Sequence, residues 1–354
     1  LANLIGNINA GGGGVNRNVI INGDFKLKQR AGTGTQSTDL GNSDGYHLHD
    51  RWYLDTGAST DGRLTMSHDS SAPSGFANSM KLACTTTDTS IASGEQLLIQ
   101  QRIEGQNLQA FAKGTSDAKP FAVSFYVKGN ASATYVCELH DKDNDRQCSK
   151  TFNVTTDWTR IELTFPADTT GAFDNDTSAS LHLNIALHAG ATYTSGTLNS
   201  SAFATTNNNN RYVGINSFFD STARTFFITG VQLEVGQNPT EFEHEPFERT
   251  LTKCQRYYEI LSAVASTNSM TGTVTVGQDT AGRKTIGPYF YKTEKRAAPT
   301  IANVTIGIDA GDTNHTFVFS TGTRSTSGSS TSSTDIGEAD GLESDFNIVV
   351  DGEI

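Results

Sequence analysis

Long apolar runs are missing from this chain, and so is any cluster of Lys and Arg. A membrane-spanning helix needs about 20 consecutive, mostly apolar residues, so membrane insertion is not expected. No basic segment followed by an apolar stretch reads as a leader peptide. The charge balance is acidic: 38 Asp and Glu against 26 Lys and Arg give a formal net charge of −12. A nucleic-acid partner calls for a basic face, so nucleic acid is excluded as the expected partner. Cysteine is scarce, four in 354 residues, too few for a disulfide scaffold. Also absent are Gly-x-Ser-x-Gly, a phosphate-cradling glycine loop and a cysteine near a candidate histidine. A glycosidase needs two carboxylates about 5–9.5 Å apart, and nothing singles out such a pair. The expectation is therefore no catalytic residue, no cofactor and no metal.

Ser, Thr, Asn and Gly are what the chain has instead, with 35% hydrophobic and 18% charged residues. Thr and aromatic residues suit strands, and Gly and Asn suit turns. The strand signal is strict alternation. Phe121, Val123, Phe125 and Val127 share one face, as do Ile161, Leu163 and Phe165. Leu181, Leu183, Ile185 and Leu187 do the same, leaving His182, Asn184 and His188 to a face expected to be solvated. Turn-rich segments separate these runs, which suggests two packed sheets.

The organisation follows from where the patterns change. Residues 1–17, with glycines at 11–14, read as a flexible tether. Residues 18–245 read as a jelly-roll β-sandwich. Residues 246–262 carry Phe247, Leu251, Cys254, Tyr258 and Leu261 at helical spacing and read as one linking helix. Residues 263–354 return to strand patterns and read as a smaller β-sandwich-like domain. Its Ser/Thr-rich stretch at 320–335 is expected to be an exposed, mobile loop. The whole is all-β.

Several motifs occur in order: VIINGDF from Val19, DRWYL from Asp50, QQRIEGQNL from Gln100 and FAVSFYVKG from Phe121. FFITGVQLEVGQNPTEFE from Phe226, CQRYYE from Cys254 and KRAAPTI from Lys295 complete the series. The series resembles a family of tailed-bacteriophage fibre and appendage proteins. The resemblance implies a structural protein of the virion, assembled in the host cytoplasm and homotrimeric. It implies contacts to other virion proteins through the tether and to a host-surface glycan or receptor. A tail fibre is the first reading, a capsid-attached head fibre the second and a glycan depolymerase the third. The first and fifth motifs also resemble the opening and closing strands of jelly-roll carbohydrate-binding modules. Val19–Ile21 are expected beside Phe227–Leu233. In that group an acidic residue near Thr229 or Gly230 helps hold calcium, and here it is absent.

Glycan binding calls for aromatic platforms, and Trp52, Tyr53, Tyr193 and Tyr212 are the candidates, with Tyr126, Tyr135 and Trp158 behind them. For Trp52 and Trp158 the competing reading is a packing anchor. Asp141-x-Asp143-x-Asp145 looks like the start of a calcium loop, but Arg146 and Phe152 stand where such a loop needs Gly and a bidentate acid. A solvated turn is the simpler reading. His47 and His49 could share a strand face and a metal, yet no third ligand is indicated. Cys137 and Cys148 flank the same acidic turn and would face each other across a symmetric hairpin. They are expected as packed thiols.

Overall fold

Alternation does become strands. The computed structural model describes residues 16–31, 36–41, 43–57, 60–263, 276–278, 284–301, 304–306, 315–330 and 346–353. Of the tether at 1–17, residues 1–15 therefore lie outside the described residues. The chain divides into two units, Leu1–Phe247 with Ile354, and Glu248–Glu353. Among the described residues, no helix is long and apolar enough to cross a membrane.

Among its described residues the first unit holds twelve strands: β1 (Gln36–Leu40), β2 (Tyr53–Gly57), β3 (Arg63–Asp69), β4 (Ser79–Thr86), β5 (Glu95–Glu104), β6 (Phe121–Gly129), β7 (Ala133–Asp141), β8 (Arg146–Val154), β9 (Thr159–Phe165), β10 (Ala179–Ala189), β11 (Ala204–Thr205) and β12 (Thr225–Val235). They form two six-stranded sheets, ordered β1-β3-β4-β12-β6-β9 and β11-β8-β7-β10-β5-β2. The inner faces meet over one apolar core that takes Phe121, Val123, Phe125 and Val127 from one sheet and Leu181, Leu183 and Ile185 from the other. This is a β-sandwich of jelly-roll type.

The NVIINGDF stretch closes it. Strand β12 pairs with β4 only through Thr225–Ile228. Beyond Ile228, residues 18–23 take over that side. The Val19 N–H donates to the Leu233 carbonyl (3.0 Å) and the Val231 N–H to the Gly23 carbonyl (2.9 Å). Asn18 Oδ1 accepts from the Leu233 N–H at 3.1 Å. The expected neighbours are thus in place, but as an irregular segment instead of a regular strand. Asn22 turns the chain at φ 59°, and its side-chain amide binds Leu27 (2.9 Å) and Asp50 (3.0 Å) carbonyls.

Three local expectations are corrected. Cys137 pairs with Lys150 and Cys148 with Leu139, so each partner lies two residues from the symmetric guess. Both thiols are buried and unbonded, and burial pushes Cys148 up to about 11. Asp141 is not solvated. Its carboxylate is enclosed against Lys113 Nζ at 2.5 Å, and Oδ1 accepts the turn N–H groups of Asp143 (3.0 Å) and Asn144 (3.1 Å). His47 and His49 do not share a strand. His47 Nε2 meets the Ser43 carbonyl at 2.8 Å, whereas His49 is buried with Nε2 3.3 Å from His68 Nδ1.

The second unit starts at Glu248, within the helix Phe247–Gln255. The helix stops earlier than its spacing predicts. Tyr258–Ala263 is strand β13, laddered residue by residue against β19 (Phe346–Asp351). Tyr257, Tyr258 and Ile260 favour strands over helices, and the long-range ladder outweighs the helical period. A five-stranded sheet comprises β14 (Val276–Gln278), β15 (Lys284–Phe290), β16 (Val304–Ile306), β17 (His315–Thr321) and β18 (Ser325–Ser330), in the order β14-β15-β18-β17-β16. Part of the Ser/Thr-rich stretch is therefore strand β18, paired on both sides; residues 331–335 lie outside the described residues. Lys295 and Glu259 form a fully buried ion pair at 2.7 Å.

Candidate functional site

The second sheet of the sandwich presents an outer face with two polar rows beside a small apolar patch of Leu98, Val136 and Ala186. Antiparallel register sets Tyr53, Gln100, Asn184 and Glu138 in one row across β2, β5, β10 and β7. Arg102, His182, His140 and Gln147 form the next row. Residues two apart on a strand share a face, so the two rows lie side by side.

The first row is a hydrogen-bonded relay. Arg102 lies over the Tyr53 ring, 3.9 Å from its centroid, and its Nε donates to Gln100 Oε1 at 2.6 Å. Gln100 Nε2 donates to Asn184 Oδ1 (2.8 Å), and Asn184 Nδ2 donates to Glu138 Oε2 (2.7 Å). Glu138 is fully buried and receives Arg211 in fork geometry, Nε at 2.8 Å and Nη2 at 2.7 Å. The Tyr212 hydroxyl adds a fourth donor at 3.0 Å. Burial opposes the charge on Glu138, but the Arg211 guanidinium prevails and holds the carboxyl below its ordinary range. Burial and the same carboxylate push the Tyr212 hydroxyl well up.

Arg211 and Tyr212 come from the long connection between β10 and β12. That connection covers part of the face, which corrects the expected solvated strand: Asn184 and His188 are fully buried beneath it. It is held by its own polar groups. Asn207 Oδ1 accepts the Asn209 N–H at 3.2 Å, and Asn210 Oδ1 accepts the Thr197 N–H at 3.0 Å. Between the connection and the sheet opens a cavity of about 730 Å³. His140, Lys142 and Asp145 line it from the β7–β8 hairpin, and Thr206, Asn207, Asn208 and Arg211 from the connection.

The four aromatic candidates separate. Trp52 is buried on the core side, stacked on Phe25 at 4.9 Å with its Nε1 donating to the Asn22 carbonyl at 3.0 Å. It anchors the opening turn and presents no face to a ligand. Tyr53, the next residue, points the opposite way and is half-buried at the sheet edge. Tyr212 is also fully buried; its ring packs on half-buried Tyr193 (5.8 Å) and its hydroxyl is spent on Glu138. Both burials correct the expectation of exposed platforms. Tyr53 and the Tyr193–Tyr212 pair therefore mark opposite ends of one row. Sequence reasoning missed Arg102, His140 and Arg211, and placed His182 on the polar face without a role. The alternation Gln96, Leu98, Gln100, Arg102 carried the signal for Arg102 only.

Both face histidines are held neutral. Burial lowers His140 despite the Glu138 charge, and burial with Arg102 takes His182 well below its ordinary range. Burial does the same to His49. Their folded pKa values lie below the unfolded value of about 6.5. The unfolded chain thus binds more protons as pH falls, and stability present above about pH 6.5 is lost below it. Urea midpoints should be level from pH 8 to 7 and fall by pH 5.5. A midpoint unchanged down to pH 5.5 contradicts this assignment.

No protein-family model matches the chain, and no curated protein matches it. Solved structures do, at low likeness. One is the enzymatically active domain of bacteriophage CBA120 tailspike protein 4, 11% identical with a TM-score of 0.32, covering 62% of this chain and 21% of that one. A second is the family 11 carbohydrate-binding module from Clostridium thermocellum with a mixed-linked tetrasaccharide, 14% identical, TM-score 0.28, covering 60% and 100%. A third is the module TmCBM61 with β-1,4-galactotriose, 8% identical, TM-score 0.31, covering 62% and 99%. At these values the likeness decides nothing about ligand or activity.

Proposed function

We propose that this chain is a bacteriophage tail fibre, homotrimeric on the particle, whose first unit binds a host-surface glycan without cleaving it. The observation that carries the binding is the pair of accessible features at the ends of the polar face, the half-buried Tyr53–Arg102 stack and the cavity lined by His140, Asn207 and Asn208. Sugars offer many hydroxyls and flat C–H faces. Planar amides, neutral imidazoles and a guanidinium match the hydroxyls, and a half-buried Tyr matches the C–H face. The ordered motif series supports the virion assignment. A trimer would sum weak contacts by display of three copies.

Glycan-array binding of the purified chain tests this reading, with Arg102→Met and Tyr53→Ala as the diagnostic variants. Each should weaken the best glycan about tenfold or more, since a lost stacking or charged hydrogen-bonding group is worth about 1.5–3 kcal/mol. Retention of the bound glycan by both variants would remove this face from the proposal. Release of reducing ends from host polysaccharide would replace binding with hydrolysis.

A further inference from the structure

A second polar cluster lies at the opposite end of β10 from His182. It joins Asp88, in the loop after β4, to Glu95, the first residue of β5, and to His188 near the end of β10. Their ligand-capable atoms all lie within 4.8 Å of one another. Asp88 and Glu95 are each 4% exposed and His188 is 0% exposed. Asp88 is steered by Thr60 Oγ1 (2.9 Å) and the Asp61 N–H (3.2 Å) on one oxygen, and by the Ser90 N–H (3.1 Å) on the other. Glu95 Oε2 lies 3.2 Å from His188 Nε2. His188 Nδ1 lies 2.8 Å from Ser217 Oγ. That oxygen already accepts the Phe219 N–H at 3.0 Å.

Among the described residues, no Lys or Arg forms an ion pair with Asp88 or Glu95. Two adjacent buried carboxylates without a basic partner are costly. The two carboxyl groups are hydrogen-bonded to each other, burial with the Asp88 partner raising Glu95 and the bond, with that from Thr60, lowering Asp88 against its own burial, so they share a proton unless a cation replaces it. The histidine bears on the choice. The Ser217 hydroxyl can accept from Nδ1–H or donate to Nδ1; in the tautomer with Nδ1–H donating, Nε2 offers a lone pair to the carboxylate pair. An oxygen bonded to the far ring nitrogen, fixing the imidazole in this tautomer, is how metal-ligating histidines are oriented.

We propose that Asp88, Glu95 and His188 bind one divalent cation of the zinc class, through one oxygen of each carboxylate and His188 Nε2. One imidazole and two carboxylates give three protein ligands with a fourth position left for water, a set that suits zinc. Calcium takes 6–8 oxygen ligands, more than this cluster offers. The location gives the cation a structural task. Glu95 O accepts the Gly190 N–H (2.8 Å), and Ser93 O accepts the Thr192 N–H (2.9 Å). His188 precedes the β10–β12 connection and Ser217 stands near its end. A cation here ties both ends of the segment that carries Asn207, Asn208 and Arg211 to the 88–95 loop. That consequence for glycan recognition rests on the proposed function; the cation site itself does not.

The test is calorimetric titration of the chelator-treated full chain with zinc, manganese and calcium chlorides in turn. Zinc should bind with one-to-one stoichiometry, manganese more weakly and calcium not at this site. Zinc at a hundredfold excess over its Kd should raise the melting temperature by about 5–10 °C. Asp88→Asn and Glu95→Gln preserve shape, and each should lose at least a hundredfold in zinc affinity. Cobalt(II) on the wild-type chain gives a readout that needs no folded variant: intense four-coordinate visible absorption, displaced by zinc. The absence of one-to-one zinc binding overturns the proposal. So does zinc binding that survives Glu95→Gln, or a cobalt spectrum matching the free ion.

Discussion

Replacing Glu138 with alanine should destabilise the first unit by about 3–5 kcal/mol, the cost of breaking a buried ion pair by removing one partner. Four donors converge on this carboxylate: two from Arg211, one from Asn184 and one from Tyr212. Its loss strands a buried guanidinium, a buried amide and a buried phenol at once. The cost should be local first. Arg211 and Tyr212 belong to the β10–β12 connection, and without Glu138 that part of it loses its hold on β7, while Asn216 stays bonded to Thr134. Urea denaturation followed by tryptophan fluorescence is a clean measurement, because both tryptophans, Trp52 and Trp158, lie in the first unit. The double variant Glu138→Gln with Arg211→Met should recover more than half of the loss, since neither buried charge then lacks a partner. A Glu138→Ala loss below about 1 kcal/mol would mean that the relay is decoration and the connection is held elsewhere.

The fold was legible in the sequence to the extent that period-2 patterns are local. Residues 121–127 and 181–187 announce their faces without help from the rest of the chain. What pattern alone does not supply is register. Glu138 meets Asn184, and Asn184 meets Gln100, only because β7, β10 and β5 pair across 46 and 84 residues. No local feature of Glu138 marks it as the hub. The same gap explains the aromatic candidates. Adjacent Trp52 and Tyr53 must point to opposite faces, yet only the sheet decides which is inward. Tyr212 sits in a loop by sequence, where exposure is the ordinary expectation, but Glu138 draws its hydroxyl inward. The helix ended early for a related reason: a spacing of three and four through Tyr258 and Leu261 is real, and a ladder to residues 346–351 outweighs it.

Gly23→Ala should cost about 3 kcal/mol or more, at or above the upper end of ordinary overpacking. A Cβ at Gly23 would lie 2.1 Å from the Val231 carbonyl oxygen and 3.1 Å from its carbon. Both are backbone atoms of a central strand, so no side chain can rotate away. The chain can relieve the clash only by lifting residues 18–23 off β12, which breaks the Val231 N–H bond to the Gly23 carbonyl and strains the Val19 bond to Leu233. Gly75→Ala is the control. Gly75 has φ +91° with nothing within 4 Å of its Cβ position, so alanine there meets backbone strain alone, about 1–2 kcal/mol. The larger loss at Gly23 would therefore measure closure, separate from conformational preference. Trp52 supplies the local signal, since its Nε1 donates to the Asn22 carbonyl one residue before the glycine. Its emission in Gly23→Ala should shift red before global unfolding. Equal losses at the two glycines, with native Trp52 emission, would mean that β12 does not need residues 18–23 to complete its edge.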